Sequence, residues 1–383
     1  FGFFNSRLTG TIDAYWNTTK DLLMKTAIPG ITGFTSTYAN VGQTSNKGIE
    51  IALQGVLVKT RDWNVTAGFN INFNRGKVDK LADNVTGLYG TEWATSSTFP
   101  KSDYVLKEGR PVGLVRGLTA DGFYTTDDFT YENGVYTLKE GVADVSSAVF
   151  PNYHLHNGMN ERPAGQLAYP GMAKFKDLND DGIINDDDVD VIGDMTPVHT
   201  GGFNINATYK NFDLGLYFNW SYGNEIYNVN KLAALYGYKE GAVYENKLSI
   251  VKDCYKIYDV VNGELVALTT PEQLNAANAN AKLPLAYSEN GYVSTLGIED
   301  GSYLRLNTLT LGYTLPKSML QKAGISNLRV YGSIYNVFTI TGYSGIDAEV
   351  STSTSTKTYP QLGMDWGTYP RARSFVLGVN LSF

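Results

Sequence analysis

A chain of 383 residues is long enough for two or three soluble domains, or for about half of a large barrel. Charged residues reach only 18%, below the roughly 25% usual in soluble domains, while aromatics reach 13% with 27 Tyr, 17 Phe and 5 Trp. A net charge of -7 argues against nucleic-acid binding, and the single Cys254 excludes an intramolecular disulfide. No apolar run approaches the roughly 18 residues of a membrane helix. A membrane barrel stays open, because its apolar residues alternate and never form a long run. The opening Phe1-Gly2-Phe3-Phe4-Asn5 has no initiator Met and no leader, and it is expected to be the end of a strand in a fragment of a longer protein.

The chain then falls into segments with a period of two. Leu8, Gly10, Ile12, Ala14 and Trp16 alternate with Thr9, Thr11, Asp13, Tyr15 and Asn17. Ile49, Ile51, Leu53, Gly55 and Leu57 follow, and after a short turn come Trp63, Val65, Ala67, Phe69, Ile71 and Phe73, opposed by Asn64, Thr66, Gly68, Asn70, Asn72 and Asn74. Phe203 to Tyr209 and Phe212 to Trp220 repeat the pattern around one tight turn. Tyr303 to Leu315, Leu328 to Ile340 and Phe375 to Phe383 complete about nine or ten strands.

Alternation also occurs in a soluble sandwich, so other features must decide. These segments are about 10 to 13 residues long, against a mode of about 5 to 6 in soluble sheets, and they match a tilted membrane strand. Aromatics such as Trp16, Trp63, Phe73, Phe212 and Trp220 sit at strand ends, where interface girdles lie. The opposite face is rich in Asn, Thr and Gly, as a hydrated lumen requires. The expected fold is therefore all-β, a transmembrane antiparallel β-barrel.

Connections alternate between short and long. Residues 58–62 and 210–212 are tight turns and 316–327 is a compact link, whereas 20–47, 75–111, 125–199, 222–300 and 341–372 exceed ordinary loops. Bacterial barrels have short periplasmic turns and long outer loops, so the long stretches are expected to be extracellular. Thr270-Pro271-Glu272-Gln273 reads as a helix start with a capping box. Pro316 to Ala323 reads as a short helix ended by Gly324, and Ser351 to Thr356 as a mobile loop.

One local motif carries site chemistry. Within 169–194, Asp177, Asn179, Asp181, Ile183 (by its carbonyl), Asn185 and Asp188 have the spacing of a calcium loop, with Gly182 at the sharp turn. Asp188 stands where Glu is usual, as in dockerin-type loops. Calcium would then be a structural clamp; a solvated acidic turn is the other reading. His154 and His156 could share one side of an extended segment but lack a third ligand, and Cys254 has no positioned base. Gly342-Tyr343-Ser344-Gly345 falls short of a nucleophile elbow, and no phosphate loop or H-E-x-x-H is present, so no catalytic residue is expected. Tyr104, Tyr124, Tyr153 and Trp366, in long loops, are candidate stackers on sugar rings.

Ordered blocks of residues carry a family resemblance. Asp21-Leu22-Leu23, Pro29, Gly33-Phe34, Asn40-Val41-Gly42 and Asn46-Lys47-Gly48-Ile49-Glu50 form the first. Tyr169-Pro170-Gly171, the Asp177–Asn185 run, Ile192-Gly193, Pro197 and Gly201-Gly202-Phe203 form the second. Tyr303-Leu304-Arg305-Leu306, Leu311 to Pro316, Asn336-Val337-Phe338-Thr339, Tyr343, Tyr369-Pro370, Arg373, Gly378 and Phe383 complete the set. Nearly the whole chain resembles the C-terminal part of SusC-like TonB-dependent transporters. Gly345-Ile346-Asp347-Ala348-Glu349 departs by having Ala348 where Pro is frequent.

That resemblance implies a 22-stranded outer-membrane barrel with a plug and a TonB-contacting segment, neither of which lies in this chain. It also implies a SusD-like surface lipoprotein over the mouth, an oligosaccharide or peptide ligand, and barrel-assembly machinery reading the terminal Phe383. A siderophore or vitamin receptor, or a passive porin or adhesin barrel, remains an alternative.

Overall fold

The computed structural model describes residues 1–28, 31, 33–34, 36–81, 85–150, 162–235, 246–286, 291–320, 324–352 and 361–383. Its frame is one nine-stranded antiparallel sheet in which chain order equals spatial order. The strands are β1 (Gly2–Phe3), β2 (Leu8–Ala27), β3 (Ser36–Lys59), β4 (Trp63–Lys80), β5 (His199–Tyr209), β6 (Phe212–Tyr222), β7 (Tyr303–Thr314), β8 (Asn327–Thr341) and β9 (Ser374–Ser382). Short links join the strands at one end, the longest being the 315–326 link between β7 and β8, and Lys210 takes a positive φ of 51° between β5 and β6. Every long connection leaves from the other end.

The two faces of the sheet differ in chemistry, and register keeps them separate. On one face Phe69, Phe203 and Phe218 stand side by side across β4, β5 and β6. Phe203 stacks on Phe218 at 4.3 Å, and Phe69 stacks on Trp220 at 5.6 Å. Yet this face covers no core: Trp16 is 78% exposed and Leu377 89%, and Phe212, Leu311 and Ile340 are also exposed. Gly201 makes room for the Trp220 ring, because a Cβ there would strike the indole and the Asn70 carbonyl.

The other face is polar. Asn206 Nδ2 donates to Asn204 Oδ1 (3.1 Å), the Tyr217 hydroxyl to Asn206 Oδ1 (3.3 Å), and Asn219 Nδ2 to the Tyr303 hydroxyl (3.3 Å). Thr310 and Ser333 share a hydrogen bond of 2.8 Å. Arg329 crosses β7 to Asp213, its Nε donating at 2.9 Å.

In β7 the outer row runs Leu304, Leu306, then Leu309, Leu311 and Tyr313, which is a slip of one residue. A bulge at Asn307 absorbs it: Phe218 pairs with Leu306, and Tyr217 with Thr308. The leucines thus stay on one face despite the broken alternation.

The 20–47 loop expected from sequence is instead a continuation of the β2–β3 ladder, paired to Ala27–Ser36 through irregularities near Asp21, whose φ is 58°. About 9–11 residues cross a membrane, so β2, with 20 residues, and β3, with 24, project well past it. Beyond the lipid both faces meet water, and the apolar alternation that marks a strand in sequence is lost.

The buried core lies in the long connections. Tyr124, Phe129, Tyr136, Tyr169, Phe175, Ile184, Leu274 and Tyr292 pack in one cluster. A second joins Tyr104, Val115, Met195, Tyr227, Leu232, Val293 and Met364, drawn from three connections. Together they form a folded cap at the loop end of the sheet. Helix α1 (Val229–Leu235) is part of it, as is α2 (Pro271–Asn278), where Gln273 N donates to Thr270 Oγ1 and Gln273 Oε1 accepts from Thr270 N, as the capping box predicts. Helix α3 (Lys317–Leu320) sits on the turn side, with Gly324 at a φ of 68°.

Candidate functional site

One face of the sheet carries the Asn, Thr, Tyr and Gly residues described above, and the folded cap stands at its loop end.

Where cap meets wall, four charges converge. Arg305, on the polar face of β7 and 2% exposed, pairs with Asp347 and lies 3.3 Å from Glu349. Arg371 contacts Glu349 at 2.9 Å and Asp347 at 3.6 Å. Arg305 Nε also donates to Thr339 Oγ1 at 3.0 Å, and its guanidinium lies 5.5 Å from the Tyr303 ring centre. A guanidinium this buried is tolerable only when several acceptors surround it. The network fastens the 341–372 connection to the wall. Sequence reasoning missed it; the available signal was an arginine at a lumen-facing strand position and carboxylates two residues apart in the Asp347–Glu349 segment.

Of the four aromatics singled out from sequence, two are corrected. Tyr104 and Tyr124 are 0% exposed, their hydroxyls donating to the carbonyls of Leu362 (2.7 Å) and Ala143 (2.6 Å). They are cap core and present no face to a ligand, because the connections that carry them fold into a body of their own. Burial pushes both phenols above their ordinary range. Tyr153 lies outside the described residues, as do His154 and His156. Trp366 is 49% exposed and open to solvent.

The acidic loop adopts a tight fold. Asp177 Oδ2 accepts from Gly182 N at 2.7 Å, Asn179 Oδ1 from Asp181 N at 3.2 Å, and Asp181 Oδ1 from Ile183 N at 2.9 Å. Asp180 and Gly182 take positive φ values of 57° and 84°. Asp188 is fully buried and braces the turn, accepting from Leu178 N at 2.7 Å and Asn185 N at 2.8 Å. Among the described residues no three His, Cys, Asp or Glu side chains are grouped to hold a metal. The oxygen-rich donors suit a hard cation, and in this structure they hold the loop's own amides.

His199, not singled out from sequence, is in β5 on the outer face, its Nδ1 accepting from the Trp220 indole at 3.0 Å and its ring stacked on Tyr222. The remaining singled-out residues fall elsewhere. Cys254 is buried, and burial pushes its thiol up to about 11. Phe383 follows β9 and is 87% exposed.

A sheet with apolar residues outside, polar residues inside and its core displaced into a cap defines a bacterial outer-membrane β-barrel. Residues 1–165 match the family model for TonB dependent receptor-like, beta-barrel. The chain is 30% identical over 385 residues to TonB-dependent receptor P3 of Formosa agariphila, an alignment covering 99% of this chain and 33% of that protein. It is 28% identical over 391 residues to TonB-dependent receptor SusC of Bacteroides thetaiotaomicron, covering 100% of this chain and 31% of that one.

Among solved structures, the RagAB peptide importer in the 'closed-closed' state superposes with a TM-score of 0.69 at 24% identity, over 100% of this chain and 34% of the other, a likeness of fold. The chain spans about a third of the length of the curated relatives it matches. Along its whole length the chain is thus similar to the barrel portion of SusC-like TonB-dependent receptors.

Proposed function

We propose that this chain forms part of the wall and the extracellular cap of a TonB-dependent importer of oligosaccharides or peptides, working with a SusD-like surface lipoprotein. The observation that carries this reading is the placement of the core: a large folded cap at the loop end of a sheet whose other face is lined by polar side chains. A passive porin needs no such body, whereas an importer that captures ligand before moving it does. RagAB, which shares the fold, is a peptide importer, and SusC is a TonB-dependent receptor. No catalytic role enters this reading.

In cells expressing the full-length protein, deletion of TonB should abolish ligand uptake, and a surface lipoprotein should co-purify with the barrel. Uptake that survives the deletion would instead make this a porin.

Calcium belongs to the same reading as a clamp on the cap. Asp177, Asn179, Asp181, the Ile183 carbonyl, Asn185 and Asp188 would hold it, and the ion would neutralise a run of carboxylates that otherwise repel one another. Calcium should raise the melting temperature of the purified protein, and Asp181→Asn should remove the response. Identical melting in calcium and in chelator would refute the clamp. Trp366 remains the exposed candidate for stacking on a ligand ring, and Phe383 the candidate signal for barrel assembly.

A further inference from the structure

The cap holds a cavity of about 420 Å³ between the 96–102 turn, Arg116 and residues 147–149. Its lining combines apolar Phe99 and Val149 with Ser96, Ser97 and Ser147. Two cations reach it, Lys101 and Arg116, against one carboxylate, Asp186. Neither cation forms an ion pair among the described residues, although the chain as a whole carries a net charge of -7.

Arg116 is half-buried and held in place. Its Nη1 donates to Ser102 Oγ at 2.8 Å, and its guanidinium lies 4.8 Å from the Tyr89 ring centre. Burial lowers its affinity for a proton, while Tyr89 and Asp186 oppose that. A positioned, partly desolvated guanidinium that no carboxylate engages in an ion pair is suited to a planar anion, Asp186 alone offsetting the two cations. The serine hydroxyls beside it match the hydroxyls of a sugar. A peptide could not add a strand here, because Thr98–Phe99 is already paired with Gly291–Tyr292 and the Phe99 carbonyl accepts from Val293 N.

We propose that this cavity is a subsite for the carboxylate-bearing ring of an anionic oligosaccharide, with Arg116 and Lys101 on the carboxylate and the serines on the ring hydroxyls. This deepens the import reading and rests on it.

The test is calorimetric titration of the purified full-length protein with digalacturonate, a neutral digalactose and a triglutamate peptide. Digalacturonate should bind and the neutral sugar at least tenfold more weakly. Arg116→Gln should weaken digalacturonate about tenfold, and Lys101→Gln, at an exposed position that cannot disturb folding, should weaken it several-fold. Absent digalacturonate binding, equal binding of the neutral sugar, or unchanged affinity in both variants would overturn the proposal. Tighter binding of triglutamate would overturn the sugar assignment. TonB-dependent uptake is measured separately in cells, so failure here and failure of the import reading are distinguishable.

Discussion

Glu299 shows how single side chains assemble the cap from distant parts of the chain. Its carboxylate accepts from Ser344 N (2.9 Å), Ser344 Oγ (2.8 Å) and Asn228 Nδ2 (3.2 Å), and it pairs with Lys231 of α1 at 3.2 Å. Burial raises its affinity for a proton, but the Ser344 bonds and Lys231 outweigh that and hold the group below the ordinary glutamate range. A carboxyl depressed on folding stabilises the cap above its unfolded value, about 4.3, and that contribution fades as pH falls through the depressed folded value.

Glu299→Gln should therefore destabilise the cap by about 1–3 kcal/mol at neutral pH and flatten its acid sensitivity. Hydrogen exchange across 341–352 as a function of pH reads both effects; an unchanged pH profile in the variant would contradict them. Residue roles of this kind were poorly legible in sequence. Tyr104 and Tyr124 read as exposed ligand stackers because nothing periodic in an irregular segment reports that it folds on itself. Nothing local in the sequence singles out Glu299, whose partners Ser344 and Asn228 lie 45 and 71 residues away, or joins Arg305 to Asp347, 42 residues on.

At the scale of elements, legibility followed the lipid. β6 was readable almost to the residue, and β4 and β5 over Trp63–Asn74 and Phe203–Tyr209, since membrane on one side and water on the other impose strict alternation. The outer end of β4, to Lys80, and the start of β5, from His199, were read as loop. The outer halves of β2 and β3 were read as loop, because that contrast disappears beyond the membrane. In β7 the one-residue slip between Leu306 and Leu309 is visible in sequence, but only the register shows that a bulge resolves it.

Gly312, three residues past that slip, lies under the Asp213–Arg329 pair. A Cβ there would stand 2.5 Å from Asp213 Oδ1 and 2.6 Å from Arg329 Nη2. Gly312→Val should push the pair apart and destabilise the wall by about 1–3 kcal/mol, seen as an earlier loss of the folded band in heat-treated gels. Asp213→Ala combined with Arg329→Ala removes the obstructing side chains and should soften that cost; a Val variant as stable as wild type would show that the pair does not span the glycine.

The whole molecule is inverted relative to a water-soluble protein. Its largest apolar rows, on β4 to β9, face outward, and its packed core sits in the connections at one end. The composition, rich in aromatics and poor in charge, is explained by this division. Aromatics serve twice, outside against lipid and inside the cap, and sequence alone did not separate the two uses.

Site-directed labelling along Val65–Asn72 in β4, in native outer membranes, tests the inversion directly. Within this chain the one native thiol, Cys254, is buried and pushed up to about 11, which keeps it out of the labelling. Spin labels at Val65, Ala67, Phe69 and Ile71 should collide with oxygen dissolved in lipid, and those at Thr66, Gly68, Asn70 and Asn72 with a water-soluble relaxation agent, in strict alternation. If the apolar row is shielded from both agents, or if both rows meet the aqueous one, the sheet does not separate lipid from water and this account of the protein is wrong.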